Sequence, residues 1–477
     1  MTYAKLPAPA GRSILSPLSI LSPSFLVLLL ASACSSKDAK EPDAGGADAG
    51  ADTGVDTAPT INIAWDWNGV VGTGQSLAVG GLGTPITATT QPYGNLKLAL
   101  GGATVPPFDP TLDSLSMVPL VEPIRPTDPG YPSAYPGNID GETPHTAMAD
   151  QITALAMAAG HDHVGVHTEV GESGQPMTVI QKNGVFLGTS GTGGRAYAAS
   201  LFEVAAIARL AAAAGKTYGV GAIMIIHGEA DAGNLHYAND LFQLFSDYNA
   251  DLPPLTGQTT KIPMLVSQQN SVPGGVGSVS VSAVQQWKVG VDHPGDVVCV
   301  GPKYQYSYAG DSARIHLSAH EYERLGEKFG QVYFERVVLG HDWQPLQPTT
   351  AEVSGNTVTV HFHVPVPPLV WDDTLPPPHT KTVEWALGRG FEVTGAAAPQ
   401  TIDAVEIVGD DAVKITCRSD LSGLAVVVGY AATTEGTAMT GGGTFRWGHL
   451  KDSDPFVGST TQSAQPNWAV AFQKTVP

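Results

Sequence analysis

From Ile61 to about Gly340, short unbroken apolar runs alternate with longer stretches whose apolar residues recur every three or four positions. The runs are Val70-Val71, Val164 to Val166, Ala222 to Ile226, Met264 to Val266 and Val297 to Val300. Strands covered on both faces read this way, because side chains pointing to either side must be apolar. Between them, Arg195 to Ala214 carries Leu201, Phe202, Ala205 and Leu210 at helical spacing, and Tyr237 to Tyr248 carries Leu241, Leu244 and Phe245. A third helix is predicted over Ser318 to Leu339, where Ser318 and Glu321 form a capping box. Alternating strands and helices predict a doubly wound α/β domain, and five strands suit a flavodoxin-like sheet in a three-layer α/β/α arrangement.

From Asp342 the helical spacing disappears. Val358, Val360, Phe362 and Val364 alternate with polar residues, and Val405 to Cys417 and Leu424 to Tyr430 give further strands separated by Gly and Pro. This predicts a C-terminal antiparallel β-sandwich over residues 342–477, following an α/β domain over 61–341. Trp371, Trp385, Trp447 and Trp468 either pack inside it or offer surfaces on which sugars stack.

The N-terminus has a different pattern. Lys5 and Arg12 precede the largely apolar stretch from Ile14 to Leu30, which Pro17 and Pro23 interrupt. Small residues Ala31-Ser32-Ala33 then lead to Cys34. The apolar stretch is too short and broken to span a bilayer, so residues 1–33 read as a signal peptide. A cysteine directly after small residues resembles the lipobox of bacterial lipoproteins, which implies lipidation of Cys34. Ala31 stands where that pattern usually has leucine, so ordinary cleavage and secretion is the alternative. Ser35 after the cysteine resembles an outer-membrane sorting signal. The expected location is the bacterial cell envelope, with lipid chains as the only membrane attachment. Residues 34–60 repeat Ala, Asp and Gly and cannot bury enough apolar surface to fold, so they read as a flexible acidic linker.

Composition narrows the function classes. The 477 residues suffice for two or three domains, and 42% of them are apolar. Asp and Glu outnumber Lys and Arg by 44 to 24, giving a net charge of −20, which argues against nucleic acid as a partner. Beyond Cys34 only Cys299 and Cys417 remain, and both read as unpaired core cysteines rather than a disulfide.

In a doubly wound sheet the ligand crevice lies beyond the carboxyl ends of the strands. The residues after each apolar run are therefore the candidates. After the first comes Gly74-Gln75-Ser76, and after the second Gly171-Glu172-Ser173-Gly174. The third delivers His227-Gly228-Glu229-Ala230-Asp231, and the fourth Gln268-Gln269-Asn270. The fifth leads through Gly301-Pro302-Lys303-Tyr304 to Asp311 and His316. All five polar clusters fall on one edge of the predicted sheet.

Over residues 61–340 these blocks resemble, in content and order, those of the SGNH hydrolases, in the sialate O-acetylesterase-like and acetylxylan-esterase-like branch. Gly74-Gln75-Ser76 is similar to the nucleophile block, His227 to Asp231 to the Gln-Gly-Glu-Ser-Asp block, and His316-Leu317-Ser318 to the histidine block. The resemblance implies Ser76 as nucleophile and His316 as its general base. It implies a cofactor-free, metal-free carbohydrate O-acetylesterase acting on an acetylated carbohydrate or another small ester. A hydroxyl attacks a carbonyl at neutral pH only when a neighbour takes its proton, and imidazole can later return that proton to the leaving group. The family's aspartate three residues before the histidine is Ala313 here. Asp311, five residues before, either completes a triad or leaves a Ser–His dyad. For the oxyanion the resemblance implies the N–H groups of Ser76 and Gly174, with His227 standing where the family has glutamine. Gln75 belongs with this binding group, whereas Glu229 and Asp231 read as braces of the active-site loops.

Two other readings use the same residues. His161, His163, His167, His227 and His236 with nearby acids suggest a metal-dependent phosphoesterase, although none fits a recognised ligand motif. The departures at Ala313 and His227, together with the C-terminal sandwich, suggest a carbohydrate-binding surface protein on a disabled hydrolase fold.

Overall fold

The computed structural model describes residues 61–103, 107–125, 141–184, 195–270, 279–309, 315–433 and 446–477. Within one compact unit, Pro59–Pro477, lie a central mixed sheet with helices on both faces and a separate set of antiparallel sheets. The central sheet contains β1 (Trp67–Gly74), β2 (Leu96–Ala99), β3 (Ser116–Pro119), β4 (Gly165–Gly171), β5 (Tyr218–Ile226), β6 (Met264–Ser267) and β7 (Val297–Gly301), in the order β3-β2-β4-β1-β5-β6-β7. β2, β4, β1, β5, β6 and β7 run parallel, and β3 is antiparallel at the edge. The five strands predicted from apolar runs are β1, β4, β5, β6 and β7. They stand in the spatial order second-first-third-fourth-fifth, the flavodoxin-like winding.

Side chains leave these strands alternately to the two faces. Val70, Met224, Leu265 and Val298 share one core with Met148 and Ile152 of α1 (Pro144–Ala158) and with Leu325 and Phe329 of α7 (Ala319–Tyr333). Val71, Ile223, Val266 and Val297 share the other with α3 (Arg195–Ala213), α4 (Tyr237–Asp251) and α6 (Val281–Asp292). Two one-turn helices, α2 (Met177–Ile180) and α5 (Pro253–Thr256), complete the layer. Although α3 is long and apolar enough to cross a membrane, 56% of it is buried within the protein, and the sheet accounts for its hydropathy.

Three features depart from the sequence pattern. The edge strands β2 and β3 are only four residues each, too short for periodicity to register. Helix α1 buries Thr146, Asp150, Gln151 and Thr153 beside its apolar residues, so it lacks a clean apolar stripe. After Ser76 the chain forms consecutive turns rather than a helix. Ala78 and Val79 donate back to Gln75 O, and Gly81 N donates to Ser76 O at 2.7 Å.

The antiparallel part comprises two four-stranded sheets. One is ordered β13 (Ile402–Val408), β14 (Ala412–Cys417), β9 (Thr357–His363), β8 (Gln347–Ser354). The other is ordered β12 (Ala398–Pro399), β11 (Phe391–Gly395), β15 (Val426–Tyr430), β17 (Phe472–Thr475). A two-stranded ribbon pairs β10 (Val370–Trp371) with β16 (Leu450–Lys451). Trp385 and Trp447 are buried, and Trp371 and Trp468 pack against the same core. Their indoles are packing groups rather than exposed platforms. Cys299 and Cys417 are buried and free.

Candidate active site

Leaving β1, the chain builds β2, β3 and β4 on one side of it and later returns to β5 on the other. The loops that follow β1 and β5 therefore part from one another, which opens a crevice at the strand ends. Gly74 ends β1 at φ +148°, and a Cβ there would stand 2.1 Å from Ile226 O, so only glycine fits against β5. Gln75 then ties the two strand ends together. Its N–H donates to Ile226 O at 3.2 Å, and its side-chain oxygen accepts from Ala230 N at 3.2 Å.

Ser76 follows, half-buried, with the turns at residues 76–82 below it. His316 reaches it from the segment between β7 and α7. A bridge between Tyr308 and Leu317, with Ala309 N donating to His316 O at 2.7 Å, forms a narrow hairpin base that presents the imidazole just before α7. Nε2 of His316 lies 2.8 Å from Ser76 Oγ. Tyr322, one turn into α7, donates to Gly81 O at 2.8 Å and so couples the histidine's helix to the serine's turn. A Cβ on Gly81 would meet His316 Cδ2 at 2.8 Å, so this glycine makes the room in which the ring sits.

The second block is fixed to the same edge, since Glu172 N donates to Gly74 O at 2.9 Å. Gly174 turns at φ +70° with open space where a Cβ would be. Among the described residues neither the Ser76 nor the Gly174 N–H has an acceptor. Two such N–H groups are the type of donor that a developing oxyanion requires.

His227 has other partners. It is fully buried, with Nε2 2.9 Å from Gln175 O and Nδ1 2.7 Å from the Tyr237 hydroxyl. A carbonyl only accepts, so Nε2 carries the proton, Nδ1 accepts from Tyr237, and burial holds the imidazole below its usual pKa. Both ring nitrogens are thus engaged within the protein. Glu229 forms a buried ion pair with Lys303 at 3.1 Å. Asp231 Oδ2 accepts from Met177 N at 2.7 Å, at the start of α2. Glu172 pairs with Arg195 at 2.9 Å and accepts from Ala196 N, which holds the beginning of α3. Asp311, Ala313 and Cys34 lie outside the described residues.

The histidines after residue 160 do not gather around a common point. His161 and His236 are exposed, whereas His167 is buried 3.1 Å from His145, whose Nε2 lies 2.8 Å from Glu169. Among the described residues no group of three His, Cys, Asp or Glu side chains is arranged to hold a metal ion. A cavity of 270 Å³ opens at the opposite end of the sheet, lined by Trp65, Asn68, Lys261 and Tyr333, away from the Ser–His pair. Sequence reasoning missed Gly81 and Tyr308, and the only signal for the former was the glycine pair behind Ser76.

The fold is shared with XAC1771, a carbohydrate acetylesterase from Xanthomonas citri, at a TM-score of 0.51 and 12% identity over 85% of this chain and 80% of that one. NanS aligns with 57% of this chain and 98% of its own at a TM-score of 0.33 and 14% identity. Est24, a carbohydrate acetylesterase from Sinorhizobium meliloti, aligns with 56% of this chain and 97% of its own at 0.28 and 13%. No protein-family model matches the chain, and no curated protein matches it in sequence.

Proposed function

We propose that the chain is a serine esterase of the SGNH type that removes acetyl groups from carbohydrate. The observation that carries this reading is the 2.8 Å contact between His316 Nε2 and Ser76 Oγ at a strand-end crevice. In the proposed reaction Ser76 Oγ attacks the acetyl carbonyl carbon while its proton passes to His316 Nε2. The N–H groups of Ser76 and Gly174 receive the oxyanion. As the tetrahedral intermediate collapses, the sugar oxygen takes the proton from Nε2 and departs, which leaves an acetyl ester on Ser76. Water then gives a proton to His316 and attacks that ester, and His316 returns the proton to Ser76 Oγ as the acyl bond breaks and acetate leaves. Asp311 is the proposed orienting acid. His227, Glu229 and Asp231 hold the surrounding loops in place. Acetyl and carbohydrate specificity rest on the block resemblance, and the fold shared with a carbohydrate acetylesterase is consistent with both. Lipidation at Cys34 would keep the enzyme in the cell envelope.

The test is hydrolysis of p-nitrophenyl acetate by residues 61–477, compared with Ser76→Ala and His316→Ala, together with labelling by a fluorophosphonate. Losses of about a thousandfold or more in both variants, and labelling confined to Ser76, are expected. A native protein that neither turns over nor labels would instead favour the carbohydrate-binding reading.

A further inference from the structure

The three residues after β6 each hold a different part of the molecule. Gln268 pairs with the backbone of Ala471 through both ends of its amide, at 2.8 Å each. Gln269 offers its carbonyl to Arg446 Nη2 at 2.7 Å. Asn270 donates to the Tyr308 hydroxyl at 2.6 Å, and that hydroxyl donates in turn to Lys303 O at 3.2 Å. Tyr308 is the residue whose bridge to Leu317 closes the hairpin base that carries His316. A continuous path thus runs from the antiparallel part, through Arg446, Gln269-Asn270 and Tyr308, to the general base.

We infer that Arg446 is a positioning residue for His316, so that the antiparallel part belongs to the catalytic apparatus and is not an appended binding module. This inference rests on the esterase reading above. Arg446 is 2% exposed, and Gln269 and Asn270 are 2% and 3% exposed, so this end of the path is sheltered from water, and Tyr308 at its other end is half-buried. A buried guanidinium is costly to desolvate, and its hydrogen bond to the Gln269 carbonyl offsets part of that cost. Burial lowers the guanidinium to about 10, and Tyr308, Glu229 and Glu392 nearby offset part of that shift. A second attachment leads to the same place. Glu327 and Lys328 of α7, the helix that starts just after His316, are bound by Thr460, Thr461, Gln465 and Asn467 of the antiparallel part. Both the hairpin before the histidine and the helix after it are therefore held by C-terminal residues. Small displacements of a general base are costly, because proton transfer needs the reacting atoms within hydrogen-bond distance.

The experiment compares native residues 61–477 with Arg446→Met, Arg446→Lys and Tyr308→Phe on p-nitrophenyl acetate, with active sites counted by fluorophosphonate titration. The inference expects kcat per titrated site to fall about tenfold or more in Arg446→Met and Tyr308→Phe. KM should stay within about twofold, and Arg446→Lys should recover part of the loss. A purely structural role would reduce the number of titratable sites and leave kcat per site unchanged. That outcome in an active native protein overturns the inference. Tyr308→Phe retains the half-buried ring, so the comparison holds even where Arg446→Met fails to fold. A native protein without turnover or labelling would instead remove the esterase reading, and this inference with it.

Discussion

His316 and Ser76 are separated by 240 positions in the chain, yet Nε2 of one lies 2.8 Å from Oγ of the other. Gly81 sits under both, since a Cβ there would be 2.8 Å from His316 Cδ2 and 2.9 Å from Ser76 O. Gly81→Ala should therefore push the imidazole off the serine and shift the turn that carries the serine. The expected outcome is a fall in kcat of about ten- to a hundredfold at nearly constant KM, with the melting temperature little changed. Native-like turnover would show that the ring does not depend on this space.

Gly74 makes a different prediction, because it meets backbone far more closely and no movable ring is there to give way. A methyl at this position would lie 2.1 Å from Ile226 O in a conformation that side chains resist. Gly74→Ala should destabilise the fold by on the order of 3 kcal/mol, seen as a lower denaturant midpoint. An unchanged midpoint would contradict the close approach of β1 and β5.

His227→Phe separates two roles. With both ring nitrogens engaged, the substitution strands Gln175 O and the Tyr237 hydroxyl in the interior. The expected cost is about 2–4 kcal/mol of stability, with kcat of the folded fraction within about an order of magnitude of native. If His227 donated to the oxyanion, kcat would instead fall about a hundredfold or more while stability held.

Stability should also depend on pH through His163. It is 5% exposed, and burial lowers it from 6.5 to about 4. Between those values the unfolded chain binds a proton that the folded one refuses, so stability is lost as pH falls through that window. The limiting loss is on the order of 3 kcal/mol. Burial raises Asp150 to about 6 and Glu122 to about 8, which acts in the opposite sense over an overlapping range. The useful quantity is accordingly the difference between native protein and His163→Gln. The native stability curve should drop more steeply between pH 6.5 and 4, and parallel curves would show that His163 titrates normally.

The sequence was most informative where function and folding make the same demand. Continuous apolar runs marked β1, β4, β5, β6 and β7 because both faces of each strand are buried, and the polar residues after them marked the crevice edge. It was least informative where burial is polar. Helix α1 hides Thr146, Asp150 and Gln151, and its neighbour Thr143 accompanies Thr146 in donating to the buried carboxylate of Glu122. Such residues look solvent-facing in a linear pattern, because their partners lie on other elements. The role of His227 was hidden for the same reason. Its partners Gln175 and Tyr237 are 52 and 10 positions away, and no spacing rule connects them.

The pairing of Gln268 with Ala471 has a consequence for how the chain is made. The side chain imitates a strand residue, giving and taking one hydrogen bond, and its partner lies 203 positions later in the chain. Tyr304 likewise waits for Ala469. During synthesis the strands that bear the serine emerge long before these ties can form, and domains otherwise tend to fold from the N-terminus as they appear. A chain lacking residues 468–477 would keep Ser76 and His316 and still leave the Gln268 amide and the Tyr304 hydroxyl without these partners, at about 1–3 kcal/mol each. Full hydrogen bonding beside β6 and β7 therefore waits for the antiparallel part of the chain.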